Sequence, residues 1–173
     1  MALTLPPGVV PEPVGPGQES VWDYPRPPRV EPVPERIRVI VDGRPLANSV
    51  RAVRVLETAG APVYYLPAGD VDMARLQPAA RQTWCEWKGT ADYVDYVDPD
   101  GVGRAVRWIG WRYRDPLPGF EAIRDHMAFY AGKVDEAWVG DERATPQPGL
   151  YYGGWVTKMV RGPIKGVPGS EGW

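Results

Sequence analysis

Twenty-one prolines and twenty glycines among 173 residues leave this chain few places for a long helix. Proline removes a backbone donor and glycine weakens helical order, so what fits between such closely spaced interruptions is short extended runs joined by turns. The prolines are unevenly spread, ten of them preceding Glu35. Residues 1–19 are therefore expected to be a flexible proline-rich leader, residues 20–34 an extended polyproline-like arm, and residues 35–173 a single mainly β domain. The arm carries Trp22, Tyr24, Arg26 and Arg29. It either lies across its own domain with its aromatics inserted or is offered to a partner's aromatic groove. Self-packing is preferred, because exposed Trp22 and Tyr24 would form an apolar patch.

After Glu35 the pattern alternates with a period of two. RIRVIV, Arg36 to Val41, runs into Asp42-Gly43, the strongest short hairpin signal. VRAVRVLET and APVYYLP flank Ala59-Gly60 as a second hairpin. QTWCEWKG, ADYVDYV, RAVRWIGWRY, MAFY and VDEAWV are further strand candidates, with turns at Asp98–Gly101 and Gly140-Asp141. Asp70 reads as a cap for a short helix through VDMARL. LPGFEAIRDHM has helical spacing, with Phe120, Ile123 and Met127 on one face. The expected fold is mainly β, compact and antiparallel, with one or two short helices.

Charge and composition limit the function classes. The formal net charge is −2 with no basic block, so no nucleic-acid partner is expected. One cysteine and one histidine cannot build a zinc site, and neither metal nor cofactor is expected. No apolar run reaches membrane-spanning length and no signal-peptide pattern opens the chain, so a cytoplasmic protein with no membrane partner is expected. A homodimer remains open.

Two stretches concentrate candidate chemistry. In TWCEWKGTADY, strand periodicity puts Thr83, Cys85 and Trp87 on one face and Trp84, Glu86 and Lys88 on the other. One reading makes this a site with a thiol beside an indole and a lysine for an anionic group. The other makes Cys85 a small core residue and Glu86–Lys88 a solvated pair contributing about 0.2 to 1 kcal/mol. In GLYYGGWVTKMVRGPIK, Tyr151, Tyr152 and Trp155 surround paired glycines, followed by Arg161 and Lys165. This is either half of a pocket or a glycine-rich closing strand. Asp70–Asp72 and Asp98–Asp100 resemble metal-holding acid pairs, but a helix cap and a proline-glycine turn explain them. No phosphate-cradling glycine motif is present, and His126 has no identifiable nucleophile.

As a set, WDYPRPP (Trp22–Pro28), VYYLP (Val63–Pro67), TWCEWKGTADY (Thr83–Tyr93), WRYRDPLPGFEAI (Trp111–Ile123) and YGGWVT (Tyr152–Thr157) resemble the bacterial domain of unknown function 427. The resemblance implies a compact, tent-like β domain, also labelled a nucleotidyltransferase domain. It places emphasis on Cys85, Lys88, Gly89, Tyr93, Trp111, Tyr113, Phe129 and Tyr130. Val94 stands where similar members carry tryptophan. The glycine-serine helix start and paired metal-binding acids of a nucleotidyltransferase are not found before Asp70 or Asp98.

The leading expectation is a small-ligand-binding domain with an aromatic cleft. Its candidate residues are Trp22, Tyr24, Arg26, Cys85, Trp87, Lys88, Tyr93, Trp111, Tyr113, Tyr130 and Trp155. The alternatives are an enzyme using Lys88 or Cys85, with catalytic residues otherwise unassigned, and an interaction adaptor using the proline-rich arm.

Overall fold

Two hydrophobic clusters share one sheet, and their separation organises the molecule. The computed structural model describes residues 4–173. Its strands are β1 (Glu19–Ser20), β2 (Arg29–Pro32), β3 (Ile37–Val41), β4 (Arg44–Ser49), β5 (Val53–Leu56), β6 (Val63–Pro67), β7 (Leu76–Cys85), β8 (Gly89–Val97), β9 (Ala105–Arg112), β10 (His126–Phe129), β11 (Glu136–Val139), β12 (Glu142–Arg143), β13 (Thr145–Pro146), β14 (Trp155–Val156) and β15 (Val160–Arg161). Seven form one antiparallel sheet in the order β2-β5-β6-β10-β9-β8-β7, and four form a second in the order β12-β11-β3-β4. The helical content of the described residues is four three-residue 3-10 turns. The chain is mainly β, as its punctuation predicts.

The local rules are visible in β3 and β4. Ile37, Val39 and Val41 are fully buried while Arg38 and Ile40 between them are not. Asp42 and Gly43 close the hairpin with φ of 53° and 71°, the positive values that a two-residue type I′ turn requires. The outer strands of the large sheet, β2 and β7, carry Pro32 and Pro78. An edge strand tolerates a missing donor because one side of its ladder faces no partner.

Between the two sheets lies the main core, built from Ile37, Val39, Leu46, Leu66, Ile109, Met127, Phe129 and their neighbours. Most of its polar groups are satisfied, the buried Nε of Arg75 being an exception. Trp155 donates its indole N–H to the Phe129 carbonyl at 2.9 Å, and the buried Arg75 guanidinium donates to the Val41 carbonyl and the Tyr96 hydroxyl, both at 2.7 Å. On the outer face of the large sheet lies a second cluster dominated by Tyr65, Tyr93, Trp111, Tyr113 and Phe120.

A third cluster joins Val21, Trp22 and Tyr24 to Leu56 and Val160. Trp22 donates to the Pro163 carbonyl at 3.0 Å and meets Trp173 edge-on at 5.5 Å. Tyr24 donates to Glu19 at 2.6 Å, and Glu19 in turn binds Arg54. Residues preceding the arm run beside the C-terminal segment, where the Glu12 and Gly162 backbones bond at 2.8 Å.

Three local expectations are corrected. The 70s hold two 3-10 turns, Ala68–Asp70 and Met73–Arg75, instead of a capped helix, and Asp70 binds Ser49 and Arg51. The expected helix around Phe120 is a single turn, Glu121–Ile123, ended by Asp125 at φ 53°. Phe120 and Ile123 enter the outer cluster, but Met127 belongs to β10 and points into the main core. Third, the strand through QTWC stops at Cys85, and Glu86–Lys88 form the turn into β8.

Candidate functional site

That turn places the lysine. Cys85 pairs with Gly89 across a three-residue loop, and Gly89 has φ 99°, a conformation that glycine adopts without strain. The Lys88 carbonyl accepts from Leu117 N–H at 3.0 Å, tying the turn to the 114–120 loop. Lys88 therefore reaches the same side as Cys85, and not the opposite face as strand alternation predicts. Trp84 is 65% exposed, at the rim of a cavity that Cys85 and Lys88 also line.

That cavity, of about 530 Å³, lies on the outer face of the large sheet. Its floor is a file of rings. Tyr65 lies 6.3 Å from Tyr113 and 6.4 Å from Trp111, and Trp111 lies 4.7 Å from Tyr130 and 6.4 Å from Tyr93. Trp111 donates to the Tyr65 hydroxyl at 3.3 Å, while Tyr93 is 3.3 Å from the Thr83 hydroxyl and 3.5 Å from that of Tyr130. Tyr151, Tyr152, Gly153 and Lys165 close the opposite side. Gly153 is required there, because a Cβ at that position would come within 2.1 Å of the Trp111 ring.

Lys88, with Lys165 across from it, is one of two lysines that line the cavity. Its ammonium lies 5.8 Å from the Tyr113 ring centroid and makes no ion pair among the described residues. Burial opposes that charge, but Tyr65, Cys85 and Glu57 outweigh it and hold the lysine above its ordinary range. Burial also pushes the Tyr65, Tyr113 and Tyr130 hydroxyls upward, so at neutral pH they are uncharged hydrogen-bonding groups.

A smaller adjoining recess of about 190 Å³ shares Glu57, Lys88, Tyr152 and Lys165 with the cavity and adds Arg26. Arg26 is already engaged, 3.6 Å from Glu57 and donating to the Thr58 carbonyl at 3.1 Å. The structure thus brings together Cys85, Trp87, Lys88, Tyr93, Trp111, Tyr113 and Tyr130, with Arg26 at the margin. It places Trp22 and Tyr24 in the third cluster and Trp155 in the main core. Tyr65 and Glu57 are lining residues that sequence reasoning did not single out. Tyr65 could have been found from VYYLP, where adjacent buried tyrosines on a central strand must face opposite sides.

Among the described residues, no group of three or more histidine, cysteine, aspartate or glutamate side chains is arranged to hold a metal. None of their helices is long and apolar enough to cross a membrane.

The family model for a domain of unknown function (DUF427) matches residues 29–140. The chain belongs to the DUF427 family. The matched stretch contains the ring file and the Cys85–Gly89 turn, whereas Arg26, Tyr151, Tyr152 and Lys165 come from outside it. No curated protein matches the chain.

Proposed function

We propose that this DUF427 domain binds a small molecule with a flat unsaturated body and an anionic or strongly polar group. The observation that carries the reading is Lys88, a half-buried ammonium without an ion pair, set into a wall of tyrosine and tryptophan rings. Aromatic faces give apolar contact with directional preference, and a partly desolvated cation fixes orientation. A volume of about 530 Å³ lies within the range of small-ligand sites.

Nucleophilic catalysis by Lys88 is less well supported, because a lysine nucleophile needs a lowered pKa and this one is raised. Trp22 and Tyr24 are buried against their own chain, which favours ligand binding over capture of a partner by the arm.

The test is a thermal-shift and tryptophan-fluorescence screen against nucleotides, sugar phosphates, nucleobases and cyclic imides, repeated on Lys88→Ala and Trp111→Ala. A ligand at a hundredfold excess over Kd stabilises the native state by about 2.7 kcal/mol, well within detection. The expected result is a hit lost in both variants while each still unfolds cooperatively. A hit retained in both, or none across the panel, overturns the reading.

A further inference from the structure

The ring file does not end at the cavity. Trp108 packs against the same outer cluster, bridged to Tyr93 by Arg81 and to Tyr130 by Lys133, and here the distribution of charge is unusual. Arg81 stacks its guanidinium 4.2 Å from the Trp108 ring centroid and 4.8 Å from that of Tyr93. Arg107 lies 4.8 Å from the same indole. Lys133 is 5.6 Å from the Trp108 ring and 5.4 Å from the Tyr130 ring. Three cations thus surround one indole, and none makes an ion pair among the described residues, although eleven such pairs are formed elsewhere. Asp95 accepts the Trp108 backbone N–H at 2.7 Å and also favours the charged form of Lys133. The buried Nε of Arg81 has no hydrogen-bond partner.

The backbone is shaped to present this indole. Between two paired positions β9 advances from Val106 to Gly110 while β8 advances only from Val94 to Tyr96, and Trp108 sits in the resulting bulge at φ 52°. Bulges re-aim side chains at the margins of sheets. Gathering like charges with partial burial opposes folding, and Lys133 feels it: burial first, then Arg81, lowers its pKa. An oxyanion seated between Arg81 and Lys133 relieves that repulsion and supplies the acceptors that the guanidinium fork is built to meet.

We infer that Arg81, Arg107 and Lys133 around Trp108 form an anion subsite for a phosphate group at the mouth of the aromatic cavity. Arg81 and Arg107 already stack on the indole, so the group accepted there belongs to a molecule whose flat part lies toward Tyr93 and Tyr130. The subsite extends the cavity proposed above, but it binds phosphate through its own cations and its test does not need that cavity to be functional.

The experiment is a titration of the full chain with inorganic pyrophosphate at low salt, followed by calorimetry and tryptophan emission. Wild type binds with a change in emission, and affinity falls as salt is added. Arg81→Ala and Lys133→Gln each weaken binding about tenfold or more, as expected for loss of a charge-assisted contact. Lys158→Ala, at an exposed lysine that lines neither the cavity nor the subsite, leaves it within about twofold. Lys133→Gln guards against misfolding of Arg81→Ala, whose side chain packs between two rings. No binding by wild type, binding unchanged in Lys133→Gln, or loss in Lys158→Ala equal to that in Lys133→Gln would each overturn the subsite. A ligand screen that fails while pyrophosphate binds in this pattern removes the cavity reading and leaves the subsite standing.

Discussion

The two faces of the seven-stranded sheet use different chemistry. The inner face, closed by the four-stranded sheet, is aliphatic, and its buried donors on Trp155 and Arg75 bond backbone carbonyls and the Tyr96 hydroxyl, with only the Arg75 Nε of that pair left over. The outer face is aromatic and has no second sheet across it. Its cover is the 114–123 loop and the 149–153 segment, and around it lie Lys88, Arg81, Arg107 and Lys133, which make no ion pairs among the described residues. The inner face is what stabilises the fold. The outer face keeps polar capacity that folding does not consume.

That contrast is open to a graded set of tests. The largest effect belongs to the inner face: Phe129→Ala is expected to lose about 3 to 5 kcal/mol in urea unfolding, because a ring is removed from a fully packed site. If Trp111→Ala cost as much, the outer face would count as a second structural core. Gly153→Ala comes next. Its Cβ would meet the Trp111 ring, and displacing that ring is expected to cost about 1 to 3 kcal/mol and to abolish any ligand-induced thermal shift.

The smallest effect sharpens the comparison between two lysines at opposite ends of the ring file. For Lys88 the folded pKa is raised, so its contribution is fully present below the unfolded value of about 10.4 and is lost as pH rises through the higher folded value. For Lys133 the folded pKa is lowered, so stability rises as pH climbs from that folded value toward about 10.4. Lys88→Met should therefore flatten the loss of stability above about pH 10, and Lys133→Met should flatten a gain below it. Unfolding midpoints measured from pH 8 to 11 show whether the two variants diverge with these opposite signs.

Much of the scaffold was legible in the sequence. The β3–β4 hairpin follows from strict alternation and Asp42-Gly43, and β8, β9 and β11 lie where their branched and aromatic runs predict. The helical spacing of Phe120, Ile123 and Met127 was coincidence. Those residues enter two different clusters on opposite sides of one sheet, which no single-face argument anticipates. In the site, Lys88 was found by composition and misplaced by geometry, because three-residue hairpin loops suspend the period of two. Trp155 reads like a pocket residue beside paired glycines, yet it fills the main core, because a buried indole needs only one acceptor and the Phe129 carbonyl provides it.

By itself the sequence determined the β character, the positions of the turns and the store of aromatic and cationic side chains, since proline, glycine and alternation act over neighbouring residues. Tertiary structure alone decided which rings share a face. The lysine after Trp87 meets Tyr65 and Tyr113, and Arg81 meets Trp108, only because β6, β10, β9, β8 and β7 lie side by side. Convergence of that kind is fixed by strand order and register, which depend on contacts distant in sequence and leave no local periodicity to read.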